Sequence, residues 1–200
     1  MCPASPPPHE EPSALDGGGG WGEGDLPFAA QDAITGLYGK LPAHGDFIRR
    51  ALPDSFVTPW DAWLQSGLLA ARDALGDGFP DAWSQAPAWC FRLPAGACGP
   101  DAVAGLLLPS EDLVGRLFPL TIVALLDPAA PPPAAAWYDA LRDASHNAAG
   151  SADTLAAALP APWPGEDAPA EGWWRAPDAV WPLPALPADA YFRVLVEGGA

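Results

Sequence analysis

Three stretches of the sequence hold side chains capable of chemistry. "LPAHGDF" places His44 two residues before Asp46, "FIRR" follows with Arg49 and Arg50, and "LLLPSEDLVGRLFPLTIVALL", residues 106–126, sets Ser110, Glu111, Asp112, Gly115 and Arg116 between two apolar runs. A set of Ser110, His44 and Asp46 would make a hydrolase, with nucleophile, base and orienting carboxylate. Ser110 does not lie in G-x-S-x-G, the sharp elbow that exposes such a serine, so hydrolysis stands as an alternative. A metal site needs more than His44 and Asp46, and no second histidine follows at helical spacing. No Walker A, G-x-G-x-x-G or kinase signature is present, and no cofactor is expected. Gly36 and Gly39 flank Leu37 and Tyr38, where close backbone approach is a better reading than a phosphate cradle.

The remaining chemistry is ionic. Asp112 can accept from nearby backbone amides, as Asp does in turns. Arg116 can reach Asp112, Glu111 or a more distant carboxylate such as Asp46. Two readings stay open. The charges form an internal pair that shapes the turn, or Asp46, Arg49, Arg50, Asp112 and Arg116 form a surface that meets a partner.

The elements around these residues set their positions. "AITGLYGKLP", residues 33–42, reads as a first strand closed by Pro42. "AHGDFIRRALP" reads as a turn followed by a short extended or helical piece. "TPWDAWLQSGLLAARDALGDG" reads as a helix with Thr58 as N-cap, Pro59 at its first position and Asp61 completing a capping box. Trp60, Leu64, Leu68, Ala71 and Leu75 make its apolar stripe, so Trp60 is assigned to packing in preference to an aromatic cage with Trp63. "AWCFRL", "AVAGLLL" and "PLTIVALL" read as strands, the last covered on both faces. Pro109 and Ser110 end one strand, Gly115 supplies a positive φ and Pro119 opens the next, which predicts a wide hairpin. Two helices follow, from "PAAAWYDALRDASHNAAG" with Gly150 as its terminator and from "SADTLAAALP" capped by Ser151. "GWWRA" reads as a strand, and "PADAYFRVLVEGG" as a closing helix with Tyr191, Phe192, Leu195 and Val196 inward.

Composition bounds the rest. The 200 residues suit one domain, and half of them are apolar. The 27 Pro and 21 Gly crowd the N-terminus and residues 160–187. Residues 1–32 carry acidic charge only and read as a disordered Pro/Gly-rich tail, leaving 33–200 as the folded domain. A net charge of −16 with one lysine excludes nucleic acid, which needs cationic side chains to displace counterions, and disfavours an anionic membrane surface. Three cysteines without CxxC suggest neither a disulfide framework nor a zinc site. The N-terminus lacks the features of a secretory leader and no apolar run spans a bilayer, so a cytoplasmic location is expected.

"GLYGKLPAHGDFIRR", "LPDSFVTPWDAWLQSGL", "LLLPSEDLVGRLFPLTIVALL", "GWWRA" and "ALPADAYFRVL" occur in an order and spacing that resembles the type VI secretion-associated proteins of the TagF (ImpM) family, across roughly residues 34–197. The resemblance implies a single three-layer α/β domain whose mixed sheet is covered by helices on both faces. It further implies a non-enzymatic, cytoplasmic repressor of type VI secretion assembly that binds the forkhead-associated (Fha) scaffold protein of that apparatus. An accessory structural subunit of the apparatus is the other non-catalytic alternative.

Overall fold

A computed structural model describes residues 1, 33–146, 150–175, 180, 181, 183 and 185–198. The expected disordered tail, Met1 apart, lies outside the described residues.

The described strands are β1 (Thr35–Gly39), β2 (Ile48–Arg50), β3 (Trp89–Leu93), β4 (Ala102–Leu108), β5 (Leu120–Leu126) and β6 (Gly172–Trp174). They form one sheet in the order β2-β1-β5-β4-β3-β6. The helices are α1 (Asp54–Leu75), α2 (Phe79–Ser84), α3 (Ala135–His146), α4 (Ala152–Ala158) and α5 (Asp189–Glu197). Period-two alternation sends successive strand residues to opposite faces. Tyr38, Trp89, Phe91, Val103, Leu107, Val123 and Trp173 pack under α1, α2 and α5. Leu37, Cys90, Ala104, Leu106, Ile122, Ala124 and Trp174 pack under α3 and α4. The three-layer α/β domain expected from the resemblance is therefore present, with helices on both faces. Each strand pairing in the sheet is antiparallel, which refines the expectation of a mixed sheet.

The first face centres on aromatic rings. Trp60 is fully buried, stacks on Phe56 and Trp173, and donates its indole N–H to Thr121 Oγ1 at 2.8 Å. Burying a ring of this size contributes in the upper part of the roughly 1.5–3 kcal/mol expected for a large side chain, and the hydrogen bond satisfies its one polar atom. Packing is thus the role of Trp60, as read from its helical spacing.

The start of α1 differs from expectation. The helix begins at Asp54 after Pro53, so Thr58 is not an N-cap and Asp61 completes no capping box. Pro59 sits inside the helix and leaves only the Ser55 carbonyl without its usual donor. Phe56, 1% exposed and stacked on Trp60 at 5.3 Å, anchors the extra turn through tertiary packing. Asp61 instead accepts the Tyr38 hydroxyl at 2.5 Å and ties α1 to β1. Ser151 does cap α4, accepting from the Thr154 amide at 3.2 Å. Gly198, in the left-handed conformation, ends α5. The side chain of Tyr191 lies outside the described residues, while Phe192, Leu195 and Val196 point inward.

The register pairs Gly39 with Leu120 and Leu108 with Leu120. The end of β1, the end of β4 and the start of β5 therefore meet at one end of the sheet. Two connections leave from there, residues 40–47 and residues 109–119. Gly39 permits the junction: its φ is 132°, and a Cβ there would lie 2.0 Å from the Pro119 carbonyl oxygen. This is the close backbone approach expected of that glycine.

Candidate functional site

The two connections at this end are joined by a buried carboxylate. Asp112 is 2% exposed, although it sits in a turn. Its Oδ1 accepts from the amides of Val114 at 3.1 Å and Arg116 at 2.9 Å. Its Oδ2 accepts from Arg116 Nε at 2.6 Å and pairs with Lys40 Nζ at 2.9 Å. Burial alone would push the Asp112 carboxyl up. The donors from Arg116, Lys40 and Val114 outweigh that and hold it well below the usual carboxylate range. Gly115, with φ 77°, lets the turn close, and its amide donates to the Asp112 carbonyl at 2.9 Å.

Further bonds zip the second connection onto the first. The Leu113 amide donates to the His44 carbonyl at 2.9 Å, and Arg116 Nη2 donates to the Gly45 carbonyl at 2.6 Å. Ser110 Oγ donates to the Lys40 carbonyl at 2.8 Å. Phe47 meets Phe118 edge-to-face at 4.8 Å and lies beneath the Lys40 ammonium at 5.2 Å from the ring centre. Apart from the Lys40–Phe47 contact, each of these joins a residue of 40–47 to one of 110–118, so the two loops form one ledge.

The expected hairpin, its Gly115 conformation and its Asp112–Arg116 pair are all present. As a partner contact Asp112 requires correction, because its side chain has no exposed surface and acts inside the turn. Arg116 keeps 59% of its side chain exposed while pairing with Asp112; it does not pair with Asp46. Asp46 is exposed and caps the Phe47 amide at 2.8 Å. Arg49 lies on β2, donates to the Leu52 carbonyl at 2.7 Å and pairs with Asp54 at the start of α1. Arg50 pairs with Asp153 of α4 at 2.6 Å. Asp46 and Arg116 thus lie at the loop end, while Arg49 and Arg50 follow on β2 and turn to opposite faces of the sheet, bracing α1 and α4.

The hydrolase set is not assembled. The Ser110 hydroxyl is turned to a backbone carbonyl, and His44 Nε2 accepts from the Ala152 amide at 2.9 Å. That amide is at the first position of α4, where a helix leaves an N–H without an intrahelical partner. His44 therefore holds a helix terminus. Among the described residues no group of three or more His, Cys, Asp or Glu is placed to hold a metal ion. No helix among them is long and apolar enough to cross a membrane.

Two features escaped the sequence reading. One is Lys40, the chain's single lysine, 6% exposed and ion-paired across the sheet end. Its place at the end of the first strand before Leu41 and Pro42 was a signal, since lysine rarely becomes buried without a partner. The other is the hairpin tip, where Leu113 and Val114 stand 67% and 71% exposed. Adjacent aliphatic residues in a turn otherwise made of polar residues and glycine were the corresponding signal.

Comparison with known proteins agrees with this architecture. The TagF N-terminal domain, described as type VI secretion system-associated, matches residues 36–161. The crystal structure of PA0076 from Pseudomonas aeruginosa PAO1 superposes with a TM-score of 0.69 at 28% identity, covering 83% of this chain and 95% of that one. No curated protein matches.

Proposed function

This chain belongs to the TagF N-terminal domain family of type VI secretion-associated proteins, and we propose that it represses assembly of that apparatus by binding its forkhead-associated scaffold protein, without catalysing a reaction. The observation that carries the reading is the family match across residues 36–161, which includes both loops of the ledge. The geometry supports a docking role in preference to a chemical one. Lys40, Ser110, Asp112 and Arg116 are bonded within the ledge, and the charged groups that stay accessible, Asp46, Arg49, Arg50 and Arg116, lie on or beside its braced loops. A forkhead-associated module reads phosphothreonine through basic and polar side chains. A strongly acidic protein is suited to approach such a surface.

The test is capture of the purified scaffold by the full chain, alongside secretion by cells that overproduce it. Specific capture together with reduced secretion is the expected result. Capture of baseplate components with no scaffold would instead favour an accessory structural role. Turnover of an ester or amide that is lost in Ser110→Ala would favour the hydrolase.

A further inference from the structure

The ledge presents three apolar side chains outward. Leu113 is 67% exposed, Val114 71% and Phe47 45%. Single exposed apolar residues are ordinary. Here the three stand on loops bonded to each other, through Leu113 to His44, Arg116 to Gly45 and Phe47 to Phe118. The tip is also fixed in place. The Val114 and Arg116 amides both end on Asp112, whose other oxygen is held by Lys40. Relative to an apolar pair of similar size, a buried ion pair contributes little net stability. What this one determines is the path of residues 112–116. A contact that is already ordered loses less conformational freedom on binding, so its apolar area translates more fully into affinity.

Charge around the tip indicates what covers it. Asp112 is opposed internally by Lys40 and Arg116. Asp46 and Glu111, both exposed, border the tip and have no ion-pair partner among the described residues. Arg116 is the one exposed cation beside the tip and is taken up by Asp112, so the unpaired charges of the rim are anionic, on a chain of net charge −16. We propose that Leu113, Val114 and Phe47 form the docking contact, and that they seat in an apolar depression ringed by lysine or arginine on the partner protein. This inference rests on the docking reading above and assigns its contact residues.

The experiment titrates the purified forkhead-associated scaffold with the full chain and with two variants, Leu113→Ser/Val114→Ser and Asp46→Asn/Glu111→Gln. Removing the two aliphatic side chains is expected to weaken binding about tenfold or more, as for truncation of central contact residues. Removing the two carboxylates is expected to weaken it about threefold and to flatten its dependence on salt. Unchanged melting temperatures establish that both variants fold. Should the serine pair melt early, Leu113→Ala replaces it, with a severalfold loss expected. If the wild type binds and the aliphatic variant binds within twofold of it, the ledge is not the contact, while the docking reading survives. If the wild type itself does not bind, the docking reading fails and takes this assignment with it. A self-association of the chain that the serine pair abolishes would overturn the assignment to a basic partner in favour of a second copy.

Discussion

Asp112 shows how one side chain converts a flexible connection into a fixed one. It is desolvated, yet four donations keep it ionised. Asp112→Asn weakens these interactions and leaves Lys40 buried without its anion, so it should lower stability far more than Asp46→Asn on the exposed rim. The pH dependence has a definite sign. A carboxyl depressed in the folded state contributes stability that is fully present above its unfolded pKa, near 3.9, and is lost as pH falls toward the folded value. Denaturant midpoints should thus show a wild-type advantage over Asp112→Asn that is constant from about pH 7 to 5 and shrinks below about pH 4. An advantage independent of pH would mean that Asp112 is not the ionised partner. Lys40 yields a second expectation at this scale: an amine-reactive label should modify the folded chain at the N-terminus and reach Lys40 only after unfolding, as read by peptide mapping. The Asp112–Arg116 pair was legible because its members are four residues apart in an evident turn. Lys40 was not, because its bond to Asp112 exists only once β1 and β4 lie in one sheet.

Elements were legible where periodicity was long and misplaced where packing overrode local rules. β3, β4 and β5 announced themselves as apolar runs, and α1 by its stripe from Trp60 onward. Its start did not follow the cap-like Thr58-Pro59 signal, because Phe56 gains more by burial than the chain loses at one carbonyl. The docking of α5 on α1 was invisible in sequence because it turns on the absence of a side chain. A Cβ at Gly67 would lie 2.2 Å from the Phe192 ring, and both residues are buried. Gly67→Ala should therefore destabilise by about 1–3 kcal/mol, the range for overpacking, despite the better helix propensity of alanine. For a domain of this size each kcal/mol lowers Tm by about 2–4 °C. Gly78→Ala is the control, since no atom lies within 4 Å of the added carbon and its φ is −79°. It should be neutral or slightly stabilising. Equal melting of the two variants would show that α5 does not rest on Gly67.

The whole molecule carries 25 acidic against 9 basic side chains, and this imbalance acts on folding and on association in opposite directions. Like charges repel within the compact state, and that repulsion weakens as the Debye length falls from about 30 Å at 0.01 M to about 10 Å at 0.1 M salt. The same screening removes the attraction that speeds encounter with a basic partner. Salt should barely touch the buried Lys40–Asp112 pair, which is shielded from mobile ions. In one titration with sodium chloride at pH 7, Tm of the isolated chain should therefore rise while its association rate with the proposed scaffold partner falls, by an order of magnitude or so over that range for a steered encounter. The dissociation rate should change little, because the apolar tip and the backbone bonds that hold it are insensitive to ionic strength. A fall in Tm with salt would mean that surface ion pairs such as Arg50–Asp153 outweigh net repulsion. An association rate independent of salt would mean that the acidic surface is spent on solubility, and that recognition lies in the shape of the ledge alone.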